Sequence, residues 1–124
     1  MEARRKTIVA IDFDGTMVDF SYPNLGNIKQ GALDFIRNLC DKCDFILWTC
    51  RTGKDLKQIE KYLQFFELPF AAINKNVPYL PFKTSNKVYA DFYIDDRAGF
   101  DGDWKKMEEK VLSFEPDDFI VKSE

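Results

Sequence analysis

The chain contains no histidine. That removes the commonest general base near neutral pH, and with it every Ser-His-Asp and Cys-His arrangement. Cysteine is scarce, with three residues, two of which form the C-x-x-C of "LCDKC" at Cys40 and Cys43. Without His or a second C-x-x-C, a four-ligand zinc site cannot be completed from Cys and His. Cys40 also falls on the apolar face of an expected helix, so these thiols read as structural rather than redox groups. No apolar run approaches the length of a membrane span. The amino terminus, "MEARRKTIV", is basic but has no apolar core or small-residue cleavage site of a signal peptide. An excess of one charge is missing too: 18 Lys and Arg stand against 21 Asp and Glu, a net −3. This argues against broad electrostatic binding to nucleic acid or anionic lipid and leaves room for local phosphate recognition. The expectation is a cytoplasmic protein with no membrane partner. Any catalysis in it rests on carboxylates, Lys, Cys or a metal ion.

What is present is a large apolar core and an alternating pattern. The 124 residues are 45% apolar and include twelve Phe, enough for one domain spanning residues 1–124. A first strand is expected at Thr7–Ile11, followed by the loop "GTMVDFSYPNLGNI". From about Lys29 to Asp41, Ala32, Phe35, Ile36 and Leu39 recur at helical spacing. "DFILWT" (Asp44–Thr49) reads as a buried parallel strand. A helix follows from about Lys54 to Phe66, with Leu56, Ile59, Leu63 and Phe66 on one face and Pro69 beyond its end. Short strands are expected at Phe70–Ile73 and Val88–Ile94, separated by "NKNVPYLPFKTSNK", a polar loop with two prolines. A last helix spans about Asp103–Phe114, with Trp104, Met107 and Val111 on one stripe, and an edge strand is expected at Phe119–Val121. Strands alternating with helices imply right-handed βαβ units. The expected fold is therefore α/β, a doubly wound parallel sheet covered on both faces.

In such sheets ligands bind at the carboxyl ends of the strands. The first strand ends in Asp12 and Asp14, the second in Thr49, Cys50 and Arg51, and the fourth in Asp95, Asp96 and Arg97. Like charges this close repel, and burial makes each costlier, so a cation, a shared proton or both must compensate. Four carboxylates suit a hard cation, Mg²⁺ above all. Asp12, at the strand end, is the candidate nucleophile for an aspartyl-phosphate. Asp14 is carried by the turn to the other side of the reacting group, where it can give and take a proton. Gly15 lets the backbone come close, and N–H groups of the turn through Thr16 can hold phosphate oxygens. Thr49 offers a hydroxyl to the phosphoryl group, beside Cys50 and Arg51. Asp95 and Asp96 complete a metal shell with Asp12 and Asp14. Arg51 has three readings: it holds substrate phosphate, pairs with Asp96, or pairs with Asp55. Arg97 reads as bracing the acidic pair, and Asn74 as facing the site or capping a turn.

"DFDGTMV" resembles the first signature of the haloacid dehalogenase-like superfamily, D-x-D-G-T after an apolar strand. "FILWT" resembles its second and "YIDD" its acidic fourth signature, in the right order from Ile8 to Asp96. The resemblance implies a Mg²⁺ cofactor, Asp12 as nucleophile and Asp14 as general acid/base. An aspartate at the second position implies phosphatase or phosphotransferase chemistry rather than dehalogenation. The third signature, a lone lysine that holds the phosphoryl group, falls on Lys87, with Lys83 as the other candidate. "NKVYADFYIDDR" is similar to the ending in 5′(3′)-deoxyribonucleotidases and polynucleotide kinase phosphatase domains. That similarity alone implies a nucleotide or nucleic-acid phosphate as substrate. Sugar phosphates and other small phosphorylated metabolites are the alternative.

Larger members of that superfamily insert a cap domain. Here thirty-seven residues lie between Thr49 and Lys87, and a helix and a strand use most of them, so no cap fits. The site is expected to be open unless a neighbouring copy in a homo-oligomer or the loop Met17–Ile28 covers it. Phe20 and Tyr22 in that loop either stack on a base or sugar or tuck the loop onto the core. A signalling receiver domain is the rival of another class. It needs an acceptor Asp at the end of a middle strand, where this chain has Thr-Cys-Arg and Asn-Lys-Asn. The other rival is a fold that has lost turnover and only binds phosphorylated partners.

Overall fold

A computed structural model describes residues 5–119. Four strands form one all-parallel sheet in the order β3-β2-β1-β4. They are β1 (Thr7–Asp12), β2 (Cys43–Trp48), β3 (Phe70–Ile73) and β4 (Phe92–Ile94). Three helices accompany them: α1 (Gln30–Leu39), α2 (Gly53–Phe65) and α3 (Trp104–Ser113). The architecture is an α/β Rossmann-like domain without a cap. No helix among the described residues is long and apolar enough to cross a membrane.

β1 lies between β2 and β4 and is the most completely buried strand of the sheet, from Thr7 to Ile11. The chain winds outward from it through α1, β2, α2 and β3, then returns past β1 to lay down β4 on the other side. The strand order therefore reverses at β1, and a crevice opens there at the carboxyl ends. Residues alternate between the two faces of each strand. Val9, Ile11, Phe45, Leu47 and Ile94 face the helices. There they join Leu33, Phe35 and Ile36 of α1, Ile59 and Leu63 of α2, and Trp104 and Val111 of α3 in one core.

The opposite face departs from expectation. Ile8, Ala10, Ile46 and Ala72 are covered by Val77, Val88 and Ala90 of the β3–β4 crossover, which contains no helix. Pro78 and Pro81 in that segment remove the N–H donors a helix needs. β4 is also shorter than the apolar run Val88–Ile94. Tyr89 donates its N–H to the Asn76 side chain and Ala90 to the Tyr93 hydroxyl. Pairing with β1 begins only when the Asp91 N–H reaches the Ile8 carbonyl. The expected edge strand Phe119–Val121 falls largely outside the described residues; Phe119 itself is irregular and packs on Tyr79, Phe82 and Tyr89. Cys43 is buried at the start of β2, where desolvation pushes its thiol up to about 12. It is a poor thiolate at neutral pH, in keeping with a structural role.

Candidate active site

Register brings the strand ends together. Asp12 lies opposite Trp48, the last residue of β2, and Ile11 opposite Ile94, the last of β4. The residues that follow each strand thus meet over β1. A cleft of about 320 Å³ there is lined by Asp12, Asp14, Thr49, Cys50, Arg51, Asp95 and Arg97, and by the exposed rings of Phe20 and Tyr22.

The turn after β1 is held by its own backbone. The Phe13 carbonyl accepts from the N–H groups of Thr16, Met17 and Val18, and the Gly15 N–H donates to the Val18 carbonyl at 2.9 Å. The N–H groups of Gly15 and Thr16 are therefore spent inside the turn and do not face a phosphate, contrary to the sequence reading. The Asp14 and Cys50 N–H groups have no protein acceptor among the described residues. Gly15 has φ +84°, and a Cβ there would stand 2.8 Å from Asp96 Oδ2. Both the backbone and the acidic neighbour require glycine. We expect Gly15→Ala to cost about 1–3 kcal/mol and to push Asp96 off Asp12; thermal melts check this, and an unchanged melting temperature would refute it.

Thr16 is buried at the floor of the cluster, not turned to the cleft. Its hydroxyl accepts from the Asp96 N–H at 2.8 Å and lies 2.9 Å from Asp96 Oδ1 and 3.2 Å from Asp12 Oδ2. With one proton to give, it serves one carboxylate at a time. Asp95 accepts from the Arg97 N–H at 2.8 Å, starting the short 3-10 turn Asp96–Ala98 that folds Asp96 back over β1.

Asp12, Asp95 and Asp96 each present an oxygen, all within 4.8 Å of one another. Burial, and then the charge of Asp95, push the Asp12 carboxyl up to about 7. Desolvation also acts to raise Asp96. It is outweighed by hydrogen bonds from Thr16 and the neighbouring carboxyls, so Asp96 lies below the usual carboxylate range. Burial and the neighbouring charges thus favour a proton on Asp12 when nothing else neutralises the trio. Three oxygens at this spacing with unrelieved negative charge fit a hard cation, which takes oxygen ligands and retains waters.

The Asp14 carboxylate stands outside that trio. Arg51 grips it through two bonds, Nε to Oδ2 and Nη2 to Oδ1, both 2.7 Å. The same guanidinium donates to the carbonyls of Pro23 at 3.1 Å and Asn24 at 2.9 Å, and Tyr22 stacks over it at 4.9 Å. Four of the five N–H donors of an arginine are thereby used. Arg51 is accordingly a staple joining the Asp14 turn, the start of α2 and the loop ahead of α1, rather than a phosphate ligand or a partner of Asp55 or Asp96. The Asp14 side chain is thus not offered to a metal shell, and the group expected there is its backbone carbonyl.

Thr49 is fixed from outside. Asn74, at φ +55° past the end of β3, accepts from the Thr49 N–H at 2.8 Å and donates to the Thr49 carbonyl at 2.9 Å. The Thr49 hydroxyl accepts from the Arg51 N–H at 3.1 Å, which leaves its own proton free for the cleft. Exposed Cys50 sits beside it. Lys87 is not brought to the cleft: its ammonium lies 4.9 Å from the ring of Tyr93, against the non-helical face. Lys83 does not line the cleft either. Arg97, expected to brace the acidic pair, makes no close ion pair among the described residues, but its charge contributes to holding Asp96 low, and it is exposed and lines the cleft. Lys29, which the sequence did not single out, donates to the Gly15 carbonyl at 3.3 Å. No acceptor Asp ends β2 or β3, so the receiver-domain arrangement is absent from these strands.

No protein-family model matches the chain, and no curated protein does. Among solved structures, a conserved protein from Bacteroides thetaiotaomicron is similar, with 34% identity and a TM-score of 0.77 over 87% of this chain and 91% of that one.

Proposed function

This chain belongs to the same family as that Bacteroides thetaiotaomicron protein, and we propose that it is a Mg²⁺-dependent phosphomonoester hydrolase acting through an aspartyl-phosphate on Asp12. The observation that carries this reading is the Asp12–Asp95–Asp96 cluster at the reversal point of the sheet, facing a cleft that also holds the free Thr49 hydroxyl and Asp14. Asp12, Asp95 and Asp96, with the Asp14 carbonyl, would hold Mg²⁺, whose positive charge would let Asp12 stay ionised beside a phosphate. The ionised Asp12 attacks phosphorus, and the bond to the leaving oxygen breaks. Water then attacks the same phosphorus, the bond to Asp12 breaks, and phosphate departs with the carboxylate restored. Thr49 and the Asp14 and Cys50 N–H groups stabilise the equatorial oxygens. Asp14 gives a proton to the leaving oxygen and takes one from water. Arg51, bonded to both of its oxygens, sets its orientation and must yield one bond when the proton is carried. Arg97 takes the role of the cleft cation in place of the expected lysine. The substrate is a phosphorylated small molecule or a nucleotide or nucleic-acid end. This reading takes the enzyme to be cytoplasmic, a setting in which its three thiols stay reduced.

The test is Mg²⁺-dependent phosphate release from p-nitrophenyl phosphate, nucleotides, sugar phosphates and 3′-phosphorylated oligonucleotides. Release that stops with chelator supports a phosphatase. A folded protein that binds Mg²⁺ and releases phosphate from none of them points to the non-catalytic, phosphate-binding reading.

Metal and proton compete for the same carboxylate. With its folded value above the unfolded one, Asp12 binds a proton more tightly in the folded state. Its contribution to the metal-free protein is therefore full only below the ordinary value of 3.8 and is lost as pH rises through about 7. Mg²⁺ replaces that proton, so we expect it to stabilise more at pH 8 than at pH 5. After allowance for solvent at the open cleft, the difference is about 1–2 kcal/mol, or a few degrees in Tm. Melts with Mg²⁺ or chelator at both pH values check it; equal shifts at both would contradict it.

A further inference from the structure

We propose that Phe20 reads a planar ring in the substrate, one joined to the phosphate through a spacer such as a sugar. This rests on the phosphatase reading above. Phe20 is 63% exposed and borders the cleft that holds Asp12. Among the described residues it pairs with no other aromatic ring. Neighbouring Met17 and Val18 are fully buried, so this loop buries apolar side chains where the register allows and leaves Phe20 out.

The loop that presents Phe20 is anchored. The Asp19 N–H donates to the Asn27 carbonyl at 2.9 Å, and Val18 bridges Ile28. Gly26 packs so closely on the Asp19 carbonyl that a Cβ would stand 1.8 Å from it. Arg51 holds the Pro23 and Asn24 carbonyls. The backbone on either side of Phe20 is thus held in place beside the cleft. Other exposed rings, Phe65, Tyr79 and Tyr93, do not border the cleft.

A flat apolar face beside a phosphate-sized polar floor suits a stacked ring, which adds affinity whatever its edge chemistry. Phe20 borders the same cleft as Asp12 and Thr49, and a spacer of sugar size between phosphate and ring is the part of the proposal that lets one substrate meet both. About 320 Å³ is at the small end of ligand sites, enough for phosphate and spacer with the ring at the mouth. Tyr22 is the weaker reader, because one of its faces packs on the Arg51 guanidinium.

The test compares a nucleoside 5′-monophosphate with ribose 5-phosphate. Both lose the same sugar oxygen, and they differ in the ring. We expect kcat/KM to favour the nucleotide by about 10-fold or more, chiefly through KM. Phe20→Ala should bring that ratio close to one, and Phe20→Trp should keep it. Equal turnover of the two by the natural protein, or a ratio that Phe20→Ala leaves intact, overturns the proposal while the phosphatase reading stands. Turnover of p-nitrophenyl phosphate with neither sugar phosphate attacked also overturns it alone. Release from no monoester at all overturns the reading beneath it.

Discussion

Asp12→Asn is expected to lower phosphate release at saturating Mg²⁺ by at least about 10³-fold, the scale on which removal of a nucleophile acts. The amide is nearly isosteric, so the strand end and the Thr16 contact persist. It cannot attack phosphorus and it carries no charge for a cation. The same change should stabilise the metal-free protein. Asp12 lies within a trio of carboxylates whose charges and burial hold its carboxyl near 7. A neutral side chain there removes that repulsion, so at pH 8 without Mg²⁺ the variant should melt higher than the natural protein, by about 1 kcal/mol. Activity lost together with stability gained is a signature that a purely structural aspartate would not give. A variant that turns over at the natural rate would remove Asp12 from the mechanism.

Arg51→Met is expected to cost about 2–4 kcal/mol and to reduce activity at least tenfold. The Arg51 side chain is 1% exposed and its partner Asp14 15% exposed. Taking one member out of a buried ion pair strands the other charge, which typically costs about 3–5 kcal/mol. The cleft admits water to Asp14 and reduces that figure. Two loop carbonyls, of Pro23 and Asn24, lose their donor in the same step. Arg51→Lys should recover only part, because an ammonium cannot meet both Asp14 oxygens and both carbonyls from one point. Adding Asp14→Asn to Arg51→Met should return part of the stability and none of the activity. Chemical denaturation and steady-state rates on these variants check the set. A loss below about 0.5 kcal/mol for Arg51→Met, the range of ordinary surface changes, would contradict the staple.

The convergence of Asp12, Asp14, Thr49, Asp95 and Asp96 was legible because it follows from topology. Each residue ends or follows a strand whose apolar run is plain in the sequence, and parallel strands end together. The pairing of side chains was not legible. Nothing in the spacing of Asp14 and Arg51, thirty-seven residues apart, selects Asp14 over Asp55 or Asp96. That choice is made by the loop ahead of α1, whose carbonyls share the guanidinium. Thr16 and Gly15 were placed at the phosphate on the strength of their position in the turn. The turn spends their N–H groups internally, and Thr16 points inward to the carboxylates. Lys87 failed to reach the cleft for a related reason. It belongs to the non-helical crossover, whose course depends on Val77, Val88 and Ala90 filling the second face, and no local periodicity encodes that. Asn74 reads from the sequence as facing the site or capping a turn; it does not line the cleft, and instead holds the Thr49 backbone through two hydrogen bonds.

The most direct measurement is acid quench of the protein during Mg²⁺-dependent turnover, followed by mass spectrometry of its peptides. One phosphoryl group should appear on the peptide that contains Asp12, be released by hydroxylamine as an acyl phosphate is, and be missing from Asp12→Asn. Turnover with no phosphoryl group on that peptide at any quench time, or with one on a different residue, would contradict an aspartyl-phosphate at Asp12.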